Sequence, residues 1–172
     1  MMPQKPDISE YNEFYETYMS KVSDVNNILS FLEKQRTEVM RIMNSISEEQ
    51  QQHAYEEGKW TVKELLRHII DTERLFAYRA FTISKNTGVE LSGMDQDEYM
   101  TGTNDSNNSF EDLINEFDIQ RQANIIMIKN LHESTFTISG IASESPVTVR
   151  ANIYIIAGHT VHHLNILKER YL

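Results

Sequence analysis

No proline falls between Pro6 and Pro146, and the 172 residues include only 3 prolines and 6 glycines. Average usage would supply roughly 9 and 12. Sheet-rich domains need a turn every 8 to 12 residues or so, and turns draw heavily on these two residue types. A chain this poor in both is therefore constrained to long helices joined by few connections.

The hydrophobic spacing agrees. From Ser9 onward Tyr11, Phe14, Tyr15 and Tyr18 recur at intervals of three and four, which predicts a short leading helix. Val22, Val25, Ile28, Leu29, Leu32, Val39, Met43 and Ile46 continue the period as a long amphipathic helix over roughly 22 to 45. Ser47 to Gln50 fits a capping box that starts one further turn, before Gly58. Thr61 to Glu64 is a second such box, opening a helix to about Ser84 with Leu65, Ile69, Thr72, Phe76 and Ile83 on one stripe. Between Asn86 and Asn108 the period vanishes and Gly88, Gly93 and Gly102 gather, so a long loop is expected. A third long helix is read over Ser109 to His132, and Phe136 to Val147 is read as a turn-rich connection with room for a short hairpin. The last helix is expected over about 148 to 170. The reading is one all-α domain over residues 1–172. It is a four-helix bundle with a short extra N-terminal helix and a long loop after the second long helix.

Charge and composition narrow the function. The formal net charge of -10 opposes association with a phosphate backbone or an anionic membrane surface, so neither nucleic acid nor membrane is expected as a partner. No stretch approaches about 18 uncharged apolar residues, and a cytoplasmic location is expected. There are no cysteines, which removes disulfides, thiolate zinc sites and cysteine nucleophiles. Any bound metal must be held by nitrogen and oxygen.

Helical phase sorts the 6 histidines. Each residue advances about 100° around a helix. Measured from the apolar stripe of the last helix, His163 lies roughly 40° and His159 roughly 80° to one side, whereas His162 lies roughly 140° away. His68 borders the stripe of the second long helix at about 70°. Two imidazoles at i, i+4 on one helix and a third on a facing helix is a common way for a bundle to hold a metal, and it leaves positions open for substrate. The plain alternative is that each is a hydrogen-bonded core histidine. His53 and His132 fall near helix ends and are expected to cap or to face solvent.

The segment His159-Thr160-Val161-His162-His163 lacks the glutamate of the HExxH protease motif, so a zincin-type protease is disfavoured. An acid or base must come from elsewhere: Asp71 follows His68 by three residues and Glu64 precedes it by four. Either could act at the site or steady an imidazole, and either could be a solvated helix carboxylate. Arg121 and Asn124 fall within the apolar sector of the third long helix, and Arg79 lies near His68's side of the second; a buried arginine needs a partner. The two readings are a guanidinium pair for a substrate carboxylate and internal ion pairing with residues such as Glu73 or Glu116, of which the second is preferred.

Three segments together resemble the DinB-like superfamily, particularly its YfiT-like branch of metal-dependent hydrolases, which includes bacillithiol S-transferases. They are Tyr55 through Arg74 with Phe76 to Ala80, Gly93-Met94-Asp95-Gln96-Asp97-Glu98-Tyr99, and Val149 through His163. The family commonly has Pro-Gly-Phe where this chain has Ser92-Gly93-Met94. The resemblance implies an up-down-down-up helix order and a divalent metal, zinc or nickel, on His68, His159 and His163, the set that phase selects. It also implies a homodimer and joining of a small-molecule thiol to an electrophilic substrate. Hydrolysis on the same scaffold, and a non-catalytic stress-associated bundle, are the competing expectations.

Overall fold

Side-chain caps set where the helices begin. Thr61 and Ser109 each accept from the backbone N–H three residues on, while Glu64 and Asp112 reach back to the cap, so both ends of each box are satisfied. Asn27 and Thr148 cap in the simpler way. The computed structural model describes residues 3–85, 88, 90–95, 98–99 and 108–172. Among these, six α-helices occur: α1 (Glu16–Met19), α2 (Ile28–Met43), α3 (Glu48–Gln51), α4 (Val62–Ser84), α5 (Phe110–Asn130) and α6 (Val149–Arg170).

The predicted helix from 22 begins instead at Ile28, because the Asn27 side chain takes the Ser30 N–H and ends the chain's helical run there. The leading helix is likewise broken. Asp7 and Asn12 bond the N–H groups of Ser9 and Phe14, giving short 3-10 turns at Ile8–Glu10 and Glu13–Tyr15 before α1, and a third turn follows at Ser20–Val22.

The connection before α6 is a hairpin of β2 (Ser139–Ala142) and β3 (Ser145–Thr148), and β1 (Glu90–Leu91) pairs parallel to β2. This modifies the expected loop over 86–108, of which positions 86, 87, 89, 96, 97 and 100–107 lie outside the described residues.

Cross-helix bonds give the bundle's directions. Arg36 pairs with Asp118 and Gln35 with Arg121, so α2 and α5 are antiparallel. Arg67 pairs with Glu116, the Ile70 carbonyl accepts from Gln120, and Glu73 accepts from Asn124, so α4 and α5 run parallel. Tyr171 reaches the Trp60 carbonyl while His159 meets His68, so α4 and α6 are antiparallel. The order is up-down-down-up. A parallel α4–α5 pair requires a long return between the end of α4 and the start of α5.

Two apolar clusters fill the interior. One holds Leu32, Phe76, Ile83, Ile128 and Ile153; the other holds Val39, Leu66, Phe117, Leu164 and Leu167. Between them lies a buried polar layer. Arg121, fully buried, donates from Nε and Nη2 to the two Glu73 oxygens at 2.8 and 2.7 Å, from Nη1 to Gln35 Oε1 at 2.8 Å, and from Nη2 to Thr160 Oγ1 at 3.1 Å. That layer ties all four long helices together one residue from His159.

Candidate metal centre

The α4–α6 contact brings His68 opposite the i, i+4 pair His159 and His163. His159 Nε2 lies 3.0 Å from His68 Nε2 and 3.0 Å from His163 Nε2. The three rings are 4 %, 3 % and 8 % exposed, so water does not solvate their charges well. Burial, followed by the charge of His162, pushes the His68 imidazole down to about 4. His159 and His163 are held well below the ordinary histidine range, by burial first and by neighbouring imidazoles second. All three are therefore neutral lone-pair donors near pH 7.

Their arrangement fits a shared cation better than mutual hydrogen bonding. An imidazole nitrogen has one in-plane position, filled by either a proton or a lone pair. His159 Nε2 therefore cannot make a well-formed hydrogen bond to both of its 3.0 Å neighbours. Three convergent neutral nitrogens with no thiolate suit zinc, nickel, copper or iron.

Aromatic side chains brace the ligands. Trp60 packs against His68 with the rings tilted by 40° and their centroids 4.5 Å apart, and the Tyr18 and His159 rings meet edge to face at 5.2 Å. Sequence reasoning missed both, although Trp60, the one tryptophan, sits just before the Thr61 cap. His162 is half-buried against Tyr18 and stands outside the cluster. His53 is exposed, and His132 caps the 3-10 turn Glu133–Thr135.

Neither Glu64 nor Asp71 belongs to the cluster of possible ligand atoms formed by the three histidines. Glu64 accepts from the Thr61 N–H at 2.7 Å and from the Thr61 hydroxyl at 2.9 Å, which fixes the start of α4. Asp71 lies 3.3 Å from Arg67 and 3.6 Å from Arg74, in a network completed by Glu116. The two arginines of interest part company. Arg121 and Asn124 both bind Glu73, the internal pairing preferred from the sequence, while Arg79 bonds the Ser92 carbonyl at 2.8 Å and Ser143 Oγ at 2.9 Å.

Two cavities meet the cluster. The larger, about 360 Å³, is lined by His68 and His159 together with Tyr15, Tyr18, Phe76 and Arg79. The smaller, about 280 Å³, is reached by His163 and walled by Tyr55, Lys59, Trp60 and Tyr171. No described helix is long and apolar enough to cross a membrane.

A buried three-histidine cluster between antiparallel helices of an up-down-down-up bundle defines a candidate metal-binding helical bundle. Residues 32–167 match the DinB superfamily model, and the chain belongs to that family. Among solved structures, it is similar to YfiT from Bacillus subtilis, described as "a probable metal-dependent hydrolase with an unusual four-helix bundle topology". The TM-score is 0.75 at 15% identity, covering 96% of this chain and 90% of that one, which establishes the shared fold. No curated protein sequence matches.

Proposed function

We propose that His68, His159 and His163 hold one divalent metal, zinc or nickel, and that the protein joins a low-molecular-weight thiol to an electrophile there. The observation that carries this reading is the pair of cavities: His68 and His159 face one, and His163 faces the other. Two co-substrates could then approach one centre from different sides. A divalent cation bound to these imidazoles lowers the proton affinity of a thiol or a water beside it. The chain's own residues supply the rest. Trp60 and Tyr18 fix two of the imidazole planes, the aromatic walls exclude water, and the Arg121 layer holds α6 in register behind His159. In the transfer, the thiol releases its proton to solvent, sulfur forms the new bond to the electrophile, and the leaving group departs with the electrons of the bond that breaks. Glu64 and Asp71 are proposed to tune the site from outside it, through the α4 start and the Arg67 network.

Hydrolysis is the second reading, favoured by the likeness to YfiT as that protein is described. One experiment separates them. Purified protein, with and without metal, is given bacillithiol or cysteine plus a chromogenic electrophile, and separately a chromogenic ester. Metal-dependent thiol consumption supports transfer; metal-dependent ester cleavage without it supports hydrolysis. If neither responds to metal, both enzymatic readings fail and the non-catalytic bundle replaces them.

A further inference from the structure

Arg79 is 2 % exposed, yet no carboxylate among the described residues lies within ion-pair distance of it. The other well-buried arginines differ: Arg67 holds Glu116 and Arg121 holds Glu73. The Arg79 guanidinium lies 5.3 Å from the centroid of the Phe76 ring, and its hydrogen-bond partners are all neutral oxygens. Its Nη2 donates to Ser92 O and Ser143 Oγ, Nη1 has a 3.5 Å contact to the Tyr15 hydroxyl, and Nε–H has no acceptor. A buried guanidinium with spare donors and no counter-charge costs stability unless something anionic completes it. The hairpin turn that holds it is itself strained, since Ser143 and Glu144 adopt φ of 52° and 60°, a left-handed conformation unfavourable for side-chain-bearing residues.

Arg79 also lines the larger cavity, three helical turns along α4 from His68, about 16 Å between their Cα atoms. Phe14, Tyr15, Tyr18, Leu75 and Phe76 supply apolar walls. Asp95, the acid on the lining, accepts from the Glu98 N–H in its own turn. We propose that this cavity takes a substrate with an apolar body and a carboxylate, and that Arg79 is the carboxylate's counter-charge, remote from the reacting end. This rests on the reading of the cavity as the substrate site. It does not depend on which reaction occurs there.

The test is calorimetric titration with a matched pair, 3-phenylpropanoate and 3-phenylpropanamide, on the protein as purified and again after chelation. The acid is expected to bind at least about tenfold more tightly than the amide in both states. In Arg79→Gln that preference should fall to about twofold or less, with Arg79→Lys between. Equal binding of the two probes by the unsubstituted protein, or no binding of either, overturns the proposal. An acid preference that survives Arg79→Gln but vanishes on chelation assigns the anion to the metal and overturns it too. Should circular dichroism show that Arg79→Gln does not fold, Arg79→Lys decides: an unchanged ratio overturns the proposal. Because binding rather than turnover is read, failure of the transferase reading leaves this result interpretable.

Discussion

Gly158 lies so close to the backbone of Tyr18 that a Cβ built on it would sit 2.2 Å from the Tyr18 carbonyl oxygen and 2.7 Å from its carbon. The contact is between main chains, so no flexible side chain can move aside. It seats the leading segment on α6 one residue before His159, and places the Tyr18 ring against that imidazole.

Gly158→Ala must therefore push Tyr18 away. Overpacking of this kind costs about 1–3 kcal/mol. The cost outweighs the small gain in helix propensity that alanine would bring. Thermal melts should show a loss of about 2–4 °C per kcal/mol for a chain of this size. A melting temperature equal to or above that of the unsubstituted protein would show that the two segments are not in contact.

The histidine set predicts an unequal series. His68→Ala, His159→Ala and His163→Ala should each lose most bound metal by elemental analysis, whereas His162→Ala should keep it. Chelation should lower the melting temperature without abolishing helical circular dichroism at room temperature, because the two apolar clusters bury their residues without help from an ion. Equal metal loss in all four variants would remove the assignment.

Much of this was legible in the sequence. Thr61 and Glu64 mark the start of α4 by local chemistry alone, and phase separates His159 and His163 from His162 because a regular helix converts spacing into direction. What was not legible depends on distant parts of the chain. Arg79 and Arg121 look alike along their helices, and only the packing of α5 against α4 gives Glu73 to Arg121. A two-residue strand such as β1 has no period to detect. Tyr18 belongs to a recurrent aromatic spacing, but its place over His159 follows from the breaks at Asp7 and Asn12 and from the Gly158 contact.

Glu116 gives a pH-dependent contribution of known sign. It accepts from Arg67 through both oxygens at 2.9 Å and from Arg74 at 2.7 Å, and these hydrogen bonds hold its carboxyl below the ordinary value of 4.5. A folded value below the unfolded one means that the carboxylate is favoured by folding. The stabilisation is fully present above about 4.5 and is lost as pH falls through the lower folded value. Urea melts should show Glu116→Gln less stable than the parent at pH 7, with the difference shrinking in acid. A gap that widens on acidification would contradict the sign.

The Arg121–Glu73 pair should behave as a unit. Both are nearly inaccessible, at 0 % and 2 % exposure, so removing one charge strands the other where water cannot reach it. Arg121→Met or Glu73→Leu alone should cost about 3–5 kcal/mol. The double substitution Arg121→Met with Glu73→Leu removes both charges and should recover a large part of that loss, since two apolar side chains then join the clusters on either side. Recovery should be incomplete, because Gln35, Asn124 and Thr160 each lose a partner in the same layer. Denaturant melts of the two single variants and the double variant measure the coupling. If the losses simply add, the pair is not a coupled unit, and the register of α6 behind His159 must be held by other contacts.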